Sequence, residues 1–179
     1  KLVSAGIFPD IQDSLKVMED YSLGFEYKAP EGGLPLYEGV ASFDNDIKLS
    51  DEGLQGDGMI EFVTSKSWSK RFNFLPDSTY AIAQKVVNTK QKASPDVPDF
   101  TGENFDFNLM PKKELLRVAT IKESFKMFDN EALQVGSLDL RPSGLEGKGS
   151  LSMFKGKVSS ERFTYNNSHA FADTANFEL

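Results

Sequence analysis

The chain has no cysteine, one histidine and one tryptophan among its 179 residues. The first absence removes disulfides, thiolate metal sites and a cysteine nucleophile together. His169 alone has neither a second histidine for a zinc site nor a nucleophile beside it for a triad, so it reads as a strand or surface histidine. No apolar run approaches the ~20 residues of a membrane-spanning helix, and no signal peptide opens the sequence at Lys1-Leu2-Val3-Ser4. Basic charge is also in deficit. Twenty Lys and Arg against 27 Asp and Glu give a net charge of -7, with the signs interspersed. Such a surface repels a phosphate backbone on average, which argues against a nucleic-acid partner.

Apolar residues, by contrast, are ample: 39% of the chain is hydrophobic and 12% aromatic, enough for one sizeable domain or two small ones. The stretch Leu49-Ser50-Asp51-Glu52-Gly53-Leu54-Gln55-Gly56-Asp57-Gly58-Met59-Ile60 returns as Leu140-Arg141-Pro142-Ser143-Gly144-Leu145-Glu146-Gly147-Lys148-Gly149-Ser150-Leu151, an offset of 91 residues. The match continues without a gap through Arg71-Phe72-Asn73-Phe74 against Arg162-Phe163-Thr164-Tyr165, and through Tyr80-Ala81 against Phe171-Ala172. This is the signature of a tandem duplication. Copy 1 is placed at residues 1–92 and copy 2 at 93–179, each opening on a Pro-Asp turn (Pro9-Asp10, Pro98-Asp99), or the two form one continuous domain. Gln84 to Ser94 reads as an exposed strand and linker between them.

Period-two alternation at Leu23–Tyr27, Ile47–Leu49, Met59–Val63 and Phe72–Phe74 recurs at Phe105–Phe107, Phe125–Met127, Leu138–Leu140 and Phe163–Tyr165. Each run sends one face to a core and the other to water. The segment Ile11–Met18 fits a helix or a strand equally, and Lys112–Val118 goes to strand on its β context. The fold class expected is therefore all-β: short antiparallel strands in two pseudo-repeats, stacked as a solenoid-like or sandwich-like body. Its core is assigned to Leu49, Leu54, Ile60, Phe72 and Tyr80 with Leu140, Leu145, Leu151, Phe163 and Phe171.

Candidate chemistry is thin. Gly53, Gly56 and Gly58 have the order G-x-x-G-x-G before a strand and lack a Lys-Ser/Thr, so they do not make a phosphate loop. They read as a positive-φ turn at Gly53, echoed at Gly144, and as close-approach positions in a strand at Gly56 and Gly58. Asp44-Asn45-Asp46, on a tight turn, offers oxygen ligands for calcium, and Asp129-Asn130-Glu131 echoes it. Neither is followed by the Gly and Glu of an EF-hand loop, so Asx-type turns compete with calcium at Asp44/Asp46 and Asp129/Glu131. The pair Asp57 and Glu61 has the right chemistry for glycoside hydrolysis, yet copy 2 carries Lys148 and Ser152 there. No catalytic constellation and no cofactor are assigned. Trp68 and Tyr80, with Phe72 and Phe74, would make a sugar-stacking platform if exposed and a core if not.

The run Gly53–Ser65 followed by Phe72–Ser78, together with Asp20–Phe25, Phe128-Asp129-Asn130 and Phe171–Phe177, resembles a repeated segment of very large uncharacterised envelope proteins of the Bacteroidetes. The resemblance covers nearly the whole chain. It implies an exported module, in the periplasm, outer membrane or cell surface, excised from a much longer protein, with no catalytic residue to transfer. The rhythm of strands and Gly turns is also similar to that of lipopolysaccharide-transport and related β-rich bridging proteins. The function expected is a non-catalytic structural repeat serving as scaffold, spacer or adhesion surface, with neighbouring repeats of the same chain as its partners. The alternatives are a carbohydrate-binding module taking polysaccharide or glycolipid, and an apolar-groove conduit for lipid.

Overall fold

The computed structural model describes residues 2–3, 6–9, 11–13, 15–19, 21, 23–90 and 97–178. The copy boundary at 92/93 and residues Asp10, Asp20, Ser22, Ser94 and Leu179 lie outside them. The strands are β1 (Leu2–Val3), β2 (Gln12–Asp13), β3 (Lys16–Val17), β4 (Leu23–Lys28), β5 (Leu34–Leu36), β6 (Ala41–Ser50), β7 (Gly53–Phe62), β8 (Ser65–Leu75), β9 (Ser78–Asn88), β10 (Phe100–Met110), β11 (Leu115–Thr120), β12 (Phe125–Met127), β13 (Ala132–Arg141), β14 (Gly144–Met153), β15 (Gly156–Asn166), β16 (His169–Ala172) and β17 (Asn176–Glu178). A single 3-10 turn at Pro111–Lys113 is the only helical element among the described residues. The protein is all-β, as the alternation implies.

Among the described residues, one antiparallel sheet of 15 strands contains every strand but the small β1–β2 ladder. Its long strands reach ten or eleven residues, where the alternating runs suggested short ones. One column in each copy is a broken strand. β4 pairs the second half of β6 and β5 its first half. β11 and β12 divide β13 in the same way. Strands β6, β7 and β8 recur 91 residues later as β13, β14 and β15. The sheet does not stop between copies, because β9 pairs β10 from Asn88↔Phe100 to Thr79↔Leu109. Far from being a purely exposed linker strand, β9 buries Val86 and Asn88, and Asn88 donates to the Pro98 carbonyl at 2.8 Å.

A line of irregularities crosses these strands at one level. Asn45, at φ 96°, faces Gly58. The β7–β8 register slips between Gly56 and Gly58, Asn104 sits at φ 49°, and Gly136 (φ 119°) faces Gly149 (φ 118°). The β14–β15 register slips again between Gly147 and Gly149. Bulges bend strands and increase their twist. The consequence is measurable here. By register Phe74 is level with Leu54 and Leu49, six residues from Phe43 along β6, or about 20 Å in a flat sheet. The Phe43 and Phe74 ring centroids are 5.3 Å apart, edge to face. The sheet therefore doubles over along the bulge line, and its inward face becomes a sandwich-like core. Phe8 adds edge-to-face contacts to both rings.

Gly56 sits in the crease, where a Cβ would lie 2.6 Å from Phe43 and 2.8 Å from Phe74, so its close-approach reading holds. Gly58 carries one too, against the Asp44 carbonyl, and Gly53 and Gly144 have positive φ. In copy 2 the residues at the places of Phe43 and Phe74 are Gln134 and Tyr165. The Tyr165 hydroxyl donates to Gln134 Oε1 at 2.5 Å, and the Gln134 amide donates to the Val135 and Lys148 carbonyls. One contact across the crease is thus made by an edge-to-face ring pair in one copy and by a buried hydrogen bond in the other. Between the copies, Phe72 and Phe107 meet at 5.1 Å over the small Ala81, closing the seam.

Of the expected core, Ile60, Phe72, Leu140, Leu145, Leu151 and Phe163 are buried, and Leu49 and Leu54 are partly buried against it. Tyr80 and Phe171 are corrections: they are 48% and 58% exposed. On β9 it is Thr79, Ala81 and Ala83 that point inward, so the aromatic side chain between them must point out.

After each short strand of the broken column come three consecutive left-handed residues: Tyr37, Glu38 and Gly39 (φ 53°, 59°, 90°), and Phe128, Asp129 and Asn130 (φ 54°, 55°, 70°). Non-glycine residues pay for this conformation, and tertiary contacts hold it here. Tyr37 Oη lies 2.7 Å from the Leu75 and Ser78 carbonyls and from Thr79 Oγ1, which ties the turn to the β8–β9 hairpin.

Removing the hydroxyl with Tyr165→Phe strands Gln134 Oε1 in the core and is expected to cost about 1–3 kcal/mol in urea unfolding. Adding Gln134→Phe recreates the copy 1 pair and should recover part of that loss; a second substitution that only adds to the first would show that the pair is not coupled. Burial pushes the Tyr37 phenol up from 10.0 to about 12. A raised phenol stabilises the fold fully below its unfolded value, and that contribution disappears as pH rises through the folded one. Stability should therefore decline between pH 10 and 12, and Tyr37→Phe should make the decline shallower.

Candidate functional site

The outward face is the surface on which chemistry is available. One row of Cα partners crosses eleven strands: Glu26, Lys48, Gln55, Asn73, Tyr80, Asn108, Arg117, Asp139, Glu146, Thr164 and Phe171. Period-two geometry puts every second residue of each strand here, and register aligns them. Copy 1 begins the row with Glu26 and Lys48, 3.7 Å apart. The residues at their places in copy 2 are Arg117 and Asp139, with the charges exchanged. Arg117 holds Asp139 in a two-pronged pair, Nε to Oδ1 at 2.7 Å and Nη2 to Oδ2 at 2.6 Å. That carboxylate is 6% exposed, and its hydrogen bond raises the guanidinium pKa further.

Two shallow grooves meet on this face at Arg71. The first, about 590 Å³, carries Lys28, Lys48, Lys70 and Arg71 against Glu26, Asp46 and Asp57. The second, about 550 Å³, runs past Arg71, Asn73, Tyr80, Ile82, Asp106 and Asn108. Tyr80 lies on the row between the two asparagines, one on each neighbouring strand. Asn73 donates to the Tyr80 carbonyl, the Gln55 amide oxygen accepts from the Arg71 guanidinium at 2.8 and 3.0 Å, and Asn108 Oδ1 is buried without a partner. Arg71 is held by Glu52 at 2.8 Å. An aromatic face flanked by amides, a carboxylate and a guanidinium can stack on one side of a flat ligand and hydrogen-bond around its rim.

The four aromatics weighed as a platform do not form one. Phe72 and Phe74 are buried in the crease. Trp68 and Tyr80 both face outward, but across the bulge line from each other, since Trp68 partners Lys85 and Met59 while Tyr80 partners Asn73 and Asn108. The Lys85 ammonium lies 5.7 Å above the half-buried Trp68 ring, a cation–π contact that covers that face of the indole. Tyr80, not Trp68, is the open aromatic of the groove.

Asp44, Asn45 and Asp46 lie in the middle of β6, with Asn45 at positive φ and the β6–β7 register unbroken, so the tight turn expected there is a strand irregularity. Asp129 and Asn130 belong to the left-handed turn after β12, whose match in copy 1 is Glu38-Gly39 rather than Asp44–Asp46. Asp129 N–H is capped by the Asp99 carboxylate at 2.8 Å. Among the described residues no group of three or more His, Cys, Asp or Glu side chains is placed to hold a metal ion. Asp57 and Glu61 share β7, and Glu61 pairs with Lys66 at 3.5 Å. His169 begins β16, exposed, with its ring stacked on Phe171 at 6.4 Å.

The Arg117–Asp139 pair and the polar row escaped the sequence reading. Their signal was present in the charge exchange between positions 26/48 and 117/139, but it means something only once the strands are in register. No helix among the described residues is long and apolar enough to cross a membrane. No family model matches the chain, and no curated protein or solved structure matches it either.

Arg117→Ala is expected to cost about 1–3 kcal/mol, because the Asp139 carboxylate is left buried without its partner. The charge-exchanged double variant Arg117→Asp with Asp139→Arg should recover most of that in urea unfolding. If exchange recovers nothing, packing rather than pairing holds the two strands at this point.

Proposed function

We propose that the chain is a non-catalytic structural module of a large exported bacterial envelope or cell-surface protein, working as scaffold, spacer or adhesion surface. The observation that carries this reading is what the two copies share. They keep the crease, the bulges, the left-handed turns and the paired contacts, exchanging partners jointly at Phe43/Phe74 against Gln134/Tyr165 and at Glu26/Lys48 against Arg117/Asp139. Of the groove residues they keep Arg71, as Arg162, but Tyr80, Asn73 and Asp57 are matched by Phe171, Thr164 and Lys148. Maintenance of shape alongside drift of surface chemistry suits a part whose task is mechanical. An apolar conduit would need an open inward trough, whereas rings fill that face from Phe8 to Phe74.

An antibody against the purified chain is expected to label the envelope fraction of the source cells, on a polypeptide larger than 19.9 kDa. A 19.9 kDa band in the soluble cytoplasmic fraction would overturn the proposal.

The second reading, a carbohydrate-binding module, is favoured by the exposed Tyr80 ring between Asn73 and Asn108. On a polysaccharide and glycolipid array it predicts binding that Tyr80→Ala abolishes and Trp68→Ala leaves largely intact. An array without signal removes this reading and leaves the scaffold.

A further inference from the structure

We infer that the edge formed by β16 and β17 is an acceptor site for an added antiparallel strand, of a kind the molecule itself specifies: glycine and large apolar residues inward, basic residues outward. The inference deepens the module reading by naming the chemistry of the neighbour. β16 and β17 together stand where β9 stands in copy 1. β9 pairs Lys66↔Val87 and Leu75↔Ser78 on β8, and the last two strands pair Lys157↔Glu178 and Asn166↔His169 on β15, each position 91 residues on. β9, however, is paired on both sides, by β8 and by β10. Among the described residues β16 and β17 are paired only by β15.

The covered edge shows what a second partner does. Along the β9–β10 seam Val86 faces Gly102, Ala83 faces Phe105 and Ala81 faces Phe107, small against large at each step. Val86 is 0% exposed as a result. At its place on the free edge stands Phe177, 73% exposed, in the inward row that continues from buried Leu151 through partly buried Val158. Ala172 takes the place of Ala81 and is likewise exposed. Opposite a ring as large as Phe177 a small residue fits best; β10 has Gly102 at that place, where a Cβ would lie 2.3 Å from Phe125 and 3.4 Å from Val86, and Ala172 leaves room for an aromatic, as Ala81 does for Phe107. Strand addition also supplies the missing main-chain hydrogen bonds of an open edge.

The outward positions set the charge. Opposite Thr101 and Asp106 of β10 stand Val87 and Ile82. Their counterparts on the free edge are Glu178 and Asp173, both exposed. Like charges directly opposite destabilise a pair and unlike charges support it. A copy of β10 would put Asp106 against Asp173. The strand that fits carries Lys or Arg at both positions.

The test uses the whole chain and two labelled peptides of residues 99–110, one unaltered and one carrying Thr101→Lys and Asp106→Lys. Fluorescence anisotropy should show saturable one-to-one binding of the lysine peptide and weaker binding of the unaltered one. Hydrogen exchange should slow along residues 169–178. Phe177→Ser removes the ring that would be buried and should weaken binding about ten- to a hundredfold while leaving the exposed edge's thermal midpoint unchanged. Asp173→Ala with Glu178→Ala should erase the preference between peptides. The inference is overturned if the lysine peptide does not bind saturably, if Phe177→Ser leaves its affinity unchanged, or if exchange slows elsewhere instead. A soluble 19.9 kDa protein in cells would remove the module reading without altering this result, so the two fail separately.

Discussion

The doubling of one sheet along a line of bulges is the constraint on which the rest of the molecule depends. A flat antiparallel sheet of this width would expose one entire apolar face, at a cost proportional to its area. With only the 3-10 turn among the described residues to cover it, the sheet covers itself. That geometry requires Gly56 to carry no Cβ, because Phe43 and Phe74 meet above it, and Gly147 to leave the same room beside Tyr165. The polar backbone groups loosened by the bulges find side-chain partners: Ser69 Oγ accepts from Arg71 N–H, and Ser160 Oγ from Arg162 N–H, at matching places in the two copies. Crease and core are one feature.

The two copies preserve relations between residues more than the residues themselves. A ring pair in one crease is a tyrosine–glutamine hydrogen bond in the other, and an acid–base pair on the outward face appears with its signs exchanged. Each exchange makes sense only in pairs, since a lone tyrosine hydroxyl or a lone carboxylate at these buried positions would be left without a partner. Tyr80, Asn73 and Asp57 in the outward grooves show no such joint exchange. The proposed module role rests on this contrast between a kept crease and altered residues at Tyr80, Asn73 and Asp57. The β9–β10 seam shows how stacking works, with alanines on one strand receiving phenylalanines from the next.

The sequence alone determined the all-β class, the 91-residue offset, the turns at Gly53 and Gly144 and the burial of Phe72 and Phe163, because alternation and turn chemistry are local and both recur at that offset. It could not determine which face a shared aromatic takes. Tyr80 and Phe171 recur at the same place and look like core, yet a side chain's face depends on a parity count that every bulge resets. In the left-handed triplets at Tyr37–Gly39 and Phe128–Asn130, Gly39 and Asn130 favour the conformation locally, but Tyr37 and Phe128 adopt it through contacts with the distant Leu75, Ser78 and Asp99 carbonyls. The Arg117–Asp139 pair joins residues 22 positions apart, and the Tyr80 groove brings Asp106 and Asn108 beside Asn73 and Tyr80. Only register brings them together, and register is set when the sheet closes on its apolar face.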